Sequence, residues 1–141
     1  MEEVGLVTYL LLINLAEKST LRVGKLGLIT FWPGYYVYSG SALKNFIARI
    51  SRHLKKEKRY HWHIDYFLEK GQILEIRTVD SKERLECVIN QQIQTNVSPT
   101  NLIPRFGSSD CRCFSHLAYF KKKPDLSNIG KNVKIEALTQ P

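Results

Sequence analysis

Apolar residues crowd the first forty positions in short runs and then, from Leu43, recur with helical spacing. Leu6–Leu15 is almost continuously apolar and carries Val, Thr, Tyr and Ile, the pattern of a central strand buried on both faces. Residues 20–23 and 28–31 read as shorter strands around a Gly24-Lys25-Leu26-Gly27 hairpin turn. Trp32-Pro33-Gly34 is a second turn signal, and the β-formers of residues 35–39 make a further strand. Leu43, Phe46, Ile47, Ile50 and Leu54 then trace the stripe of an amphipathic helix, with Arg49 and His53 along one edge of it. Residues 60–70 read as a short helix or an irregular segment.

Downstream, the loose alternation of residues 72–79 predicts a strand. Asp80 and Glu83 form a capping pair for a second helix marked by Leu85, Val88, Ile89 and Ile93. Prolines, asparagines and a glycine make residues 95–109 a loop, residues 113–120 form a last strand, and the tail after Pro124 has no strong period. The expected fold is a small α/β (α+β) sandwich, a mainly antiparallel sheet flanked by helices in the order β-β-β-α-β-α-β. Residues 1–123 form its single domain, and 124–141 a tail that is weakly structured or packed on it.

Composition narrows the class. A chain of 141 residues that is 43% hydrophobic, with no low-complexity tract, can bury a real core without staples. Its longest apolar run is too short to span a bilayer, and Met1-Glu2-Glu3 is unlike the basic start of a signal peptide, so the expectation is a cytoplasmic protein with no membrane partner. Three cysteines, Cys87, Cys111 and Cys113, do not make a disulfide framework. Net charge is +8, and the cations bunched at Lys55, Lys56, Lys58 and Arg59 beyond the first helix suit a polyanionic partner.

Several short strings fit that partner. Thr8-Tyr9 lies in the first strand, Tyr38-Ser39-Gly40 in a later one, Arg49 and His53 in the next helix and Glu86 in the helix after that. In this order they resemble the GIY-YIG nuclease superfamily over roughly residues 5–110. Tyr38-Ser39-Gly40-Ser41-Ala42, Arg52-His53-Leu54, His61-Trp62-His63-Ile64-Asp65-Tyr66 and Arg105-Phe106-Gly107-Ser108-Ser109-Asp110-Cys111-x-Cys113 are similar to its Uri-type branch.

The resemblance implies a GIY-YIG-like fold and a metal-dependent endonuclease that hydrolyses DNA, in repair or processing, with RNA as an open alternative. Tyr9 and Tyr38 would orient or deprotonate the attacking water, and Arg49 would fork onto the phosphate in the transition state. His53 would assist by hydrogen bonding or proton transfer, and Glu86 would hold one Mg²⁺ or Mn²⁺. Ser41, Arg52, Lys55, Lys56, Lys58, Arg59 and Arg105 would bind the nucleic acid. The chain has no room for an added DNA-binding domain, so specificity falls to DNA shape or to a protein partner.

A second cluster admits three readings. His61 with His63, and Cys111 with Cys113, each present two zinc-type ligands on one face of an extended chain, with His116 close by, so a structural Zn²⁺ site is one reading. A packed lock between two segments is another. In the third, His61, His63, Asp65, Ser109 and Asp110 rim the nuclease site. Two functions compete with the enzyme: a non-catalytic nucleic-acid-binding module of the same fold, and a zinc-stabilised interaction domain.

Overall fold

Strand β1, Leu6–Leu15, is the axis of the molecule: β4, Gly34–Leu43, pairs along one side of it and β5, Gln72–Ser81, along the other. The structure is a computed structural model and describes residues 6–43, 46–55, 63–81, 101–106 and 115–133. Between β1 and β4 stand β2, Ser19–Arg22, and β3, Leu28–Phe31, joined by a 3-10 turn over Gly24–Leu26. After β4 come helices α1, Phe46–Leu54, and α2, His63–Phe67. After β5 come β6, Asn101–Leu102, β7, Leu117–Phe120, and β8, Lys131–Val133. The main sheet has the order β6-β7-β4-β1-β5-β8 and the β2-β3 hairpin is a separate ribbon. Every pairing among the described residues is antiparallel.

The two-sided burial expected of β1 has a simple form. Tyr9, Leu11, Ile13 and Leu15 point into one apolar cluster, with Ile50 of α1, Ile64 and Phe67 of α2, and Leu21, Val23 and Phe31 of the hairpin region. Leu10 and Leu12 point the other way, into a smaller cluster with Val37, Ala118, Phe120 and Leu126. Successive side chains of a strand alternate between faces, so one ten-residue run serves both cores.

The α+β class holds, with departures in detail. Leu43 closes the ladder of β4, paired with Leu6, because β1 still offers hydrogen bonds at that position; helix α1 begins at Phe46. The expected element order is corrected, since four strands rather than three precede α1 and α2 precedes β5, and the helix expected over residues 85–93 lies outside the described residues. Part of the presumed loop over 95–109 forms β6, and the strand expected over residues 113–120 is β7, which starts at Leu117. The tail contributes β8, which covers the edge of β5.

Arg77 explains how the tail is held. Its guanidinium donates to the carbonyls of Ser127 at 3.3 Å, Gly130 at 3.1 Å and Ile129, while Glu75 accepts from it at 2.8 Å. A rigid five-donor fork satisfies three carbonyls of one loop and fixes the approach of β8. Among the described residues, no helix is long and apolar enough to cross a membrane.

Candidate functional site

Tyr9 and Gly40 lie opposite each other on β1 and β4. A Cβ at Gly40 would stand 2.7 Å from the Tyr9 ring, so the ring crosses β4 only because that position has no side chain. Laid across the neighbouring strand, the phenol reaches α1, where its hydroxyl shares a 2.8 Å hydrogen bond with Nε2 of His53. Both residues are buried to 2% exposure. The rings of Tyr9 and Tyr38 lie 5.6 and 6.4 Å from that of His53, so the imidazole stands beside both phenols.

His53 reaches the sheet because α1 turns its Ile50 edge inward, and Arg49, one turn earlier, emerges on the same flank half-buried. On its other side His53 borders a cleft of about 200 Å³ with Leu54, Leu68, Gly71, Gln72 and Ile73. The site is thus a buried Tyr-His pair with a second phenol beside it and a cation nearer solvent. Such a pair can hold and pass a proton, and the guanidinium can fork onto a bound anion.

Arg52 and Asp65 belong to the frame. Two parallel bonds of 2.7 and 2.9 Å join the guanidinium to the carboxylate, which is wholly buried while the arginine side chain is 26% exposed. A buried carboxylate needs such a partner, and this one ties α1 to α2. Arg52 therefore does more than line a basic surface, and Asp65 is a tie between helices rather than a rim group.

Phe106, which pattern alone did not single out, is fully buried and forms a wall between the two regions. Its ring lies 6.2 Å from that of Tyr38 and 5.6 Å from that of His63. Burial lowers the pKa of the half-buried His63. Arg105 beside it is exposed, with left-handed backbone at φ 60°. His116 lies one position beyond the β4–β7 ladder, buried, with its carbonyl accepting from the Ser39 amide at 3.1 Å and its Nδ1 3.2 Å from the Ser39 carbonyl.

Lys55 is exposed at the end of α1, and Ser41 stands on β4 opposite Thr8. Glu86, Lys56, Lys58, Arg59, His61, Ser109, Asp110, Cys111 and Cys113 lie outside the described residues. Among the described residues, no group of three or more His, Cys, Asp or Glu side chains is placed to hold a metal ion. The residues present thus do not test a magnesium or zinc site, whose expected ligands Glu86, His61, Cys111 and Cys113 are outside them.

Fold and site define an α+β protein with an antiparallel sheet, six-stranded among the described residues, and a buried tyrosine–histidine pair between sheet and first helix. The chain belongs to DUF123, a domain family of unknown function, whose model matches residues 8–138. That family is not GIY-YIG, which overturns the resemblance drawn from the tyrosine and glycine motifs. The correction has a physical side: a tyrosine facing a glycine across two strands is a packing requirement here, since the Tyr9 ring fills the space of the absent Gly40 Cβ. Neither the comparison with curated proteins nor that with solved structures gives a match.

Proposed function

We propose that this chain hydrolyses phosphodiester bonds in nucleic acid, with DNA as the first substrate to test. The observation that carries the reading is the 2.8 Å bond between the Tyr9 hydroxyl and His53 Nε2, beside Tyr38 and one helical turn from Arg49. In it, His53 takes or returns a proton through Tyr9, Tyr38 shapes the approach of water, and Arg49 steadies the charge that develops on the phosphate. The net charge of +8 draws the polyanion toward the protein. A divalent cation enters the proposal through Glu86 alone and supplies charge neutralisation at the phosphate when bound.

Incubation with end-labelled single-stranded, duplex, nicked and branched DNA, with and without Mg²⁺ or Mn²⁺, tests this directly. The expected result is metal-dependent product, with Tyr9→Phe, Arg49→Ala and Glu86→Ala each slower by about 10²–10⁴-fold. If no substrate is cut, or if Arg49→Ala and Glu86→Ala cut as fast as wild type, the proposal fails.

The deep burial of Tyr9 and His53 favours a second reading, a non-catalytic nucleic-acid-binding module in which the pair is a core lock. Its signature is binding that falls steeply with salt, with no product and no metal dependence.

A further inference from the structure

The β2-β3 ribbon stands apart from the main sheet and has two unlike faces. Leu21, Val23, Ile29 and Phe31 turn inward to the core. The outward face opposes Thr20 to Thr30 and Arg22 to Leu28 across the two strands, and the threonine hydroxyls bond each other at 2.9 Å. At the open end of the ribbon Trp32 is 55% exposed, with Lys18 Nζ 4.3 Å from the ring centre. Leu28, at the turn end, is 65% exposed.

Neither the core nor the candidate site uses this face. Residues 18–32 contain Lys18, Arg22 and Lys25, all exposed, and no acidic residue. A groove of about 370 Å³ runs beside Lys18 and is lined by the acidic Glu17 as well as by Lys70. A large exposed aromatic surface among Lys18, Arg22 and Lys25, against the single neighbouring carboxylate of Glu17, matches a chain that offers both flat bases and phosphates. Duplex DNA keeps its bases stacked inside, so the ring can engage only a strand whose bases are free.

We propose that the outer face of the β2-β3 ribbon is a binding surface for single-stranded nucleic acid, with Trp32 stacking on one unpaired base and Lys18, Arg22 and Lys25 taking the flanking phosphates. The proposal rests on the nucleic-acid reading above and adds its substrate class: strands that are single or locally opened. Trp32 precedes β4 by two residues and Tyr38 lies six positions further on; the chain bends at Pro33 on the way, so the fully extended length of about 20 Å is the upper limit of their separation. At about 3.4 Å per stacked nucleotide, one strand needs at most about six nucleotides to reach from Trp32 to the Tyr38 site.

The test is binding without turnover. Full-length protein in EDTA is titrated with fluorescein-labelled oligothymidine about twelve nucleotides long, roughly twice that span. A duplex of equal length and a polyphosphate chain without bases serve as competing probes. The expected result is that Trp32→Ala weakens oligothymidine binding about 5- to 150-fold, leaves duplex and polyphosphate affinity within about twofold, and is largely rescued by Trp32→Phe. In a Trp62→Phe background, oligothymidine quenches the emission of Trp32.

Equal loss for all three probes, or no loss for oligothymidine in a Trp32→Ala protein whose circular dichroism and melting match wild type, overturns the proposal. So does concentration-dependent self-association that Trp32→Ala abolishes, which assigns the face to a second copy. Trp32-dependent binding without any DNA cleavage defeats the hydrolytic reading alone, whereas cleavage with Trp32-independent binding defeats the ribbon proposal alone.

Discussion

The Tyr9 hydroxyl and the His53 imidazole share a 2.8 Å bond across the interface of β1 and α1, at 2% exposure for each residue. Removing either partner takes a hydrogen bond from a buried polar group, whereas removing both leaves an apolar contact at that position. A double-mutant cycle of Tyr9→Phe and His53→Leu is therefore expected to show a coupling of about 0.5–3 kcal/mol in urea denaturation. Additive losses would mean that the two side chains do not act as a unit.

Gly40 makes that bond geometrically available, because the Tyr9 ring occupies the space of its absent Cβ. Gly40→Ala is expected to displace the ring and cost about 1–3 kcal/mol of stability. The second substitution Tyr9→Ala then serves as the control: it removes the obstacle, so Gly40→Ala should cost less in that background than in wild type. Thermal melts of the four proteins check this.

The Arg52–Asp65 pair sets a different expectation for a basic residue. With the carboxylate at 0% exposure, Arg52→Ala removes both guanidinium bonds to a buried charge and should cost about 3–5 kcal/mol, while Asp65→Asn should cost less. An Arg52→Ala protein that melts like wild type and merely binds nucleic acid more weakly would return Arg52 to the role of a surface contact.

Legibility from sequence divides along physical lines. The strand β1 and the helix stripe through Ile50 were readable because each buries a face whose period the chain repeats over several residues. β6 and β8 were not, since strands of two and three residues carry no period and exist only because β7 and β5 offer free edges. At the site, the side-chain types of Tyr9, Tyr38 and His53 were legible and their convergence was expected from a family order that proved mistaken. The partnership of Arg52 with Asp65 was hidden because thirteen positions and two helices separate them. Trp32 was read only as a turn residue, and its exposure depends on a ribbon leaving the sheet, which strand propensities do not encode.

Arg77 holds the segment that precedes β8 through three carbonyls. Arg77→Met keeps the aliphatic stem and deletes the donors, so it should loosen that segment while the main core stays folded. Trypsin cleavage after Lys122 and Lys131 is expected to quicken about tenfold or more, since hydrogen bonds to a charged group are worth about 1.5–3 kcal/mol each. Mass spectrometry of the early fragments locates the cuts. Uniform acceleration across the chain would show global destabilisation instead.

Tyr36 gives the clearest pH expectation. Its hydroxyl donates to the Trp32 carbonyl at 2.7 Å, and burial, followed by the neighbouring Tyr119, raises its pKa well above the ordinary 10.0 of a tyrosine. A phenol that ionises later in the folded state than in the unfolded state leaves the unfolded chain with fewer bound protons above pH 10. Its stabilising effect is therefore complete below pH 10 and is lost as pH rises from there toward the folded pKa, with a slope of at most about 1.4 kcal/mol per pH unit. Tyr36→Phe removes this slope, and at neutral pH it costs only about 1 kcal/mol for the lost bond. Melting curves at pH 8, 10 and 11 (from about two units below the onset to about one above it) should show the wild-type advantage shrinking with pH. An advantage that stays constant across that range would place the hydroxyl in solvent and contradict its burial.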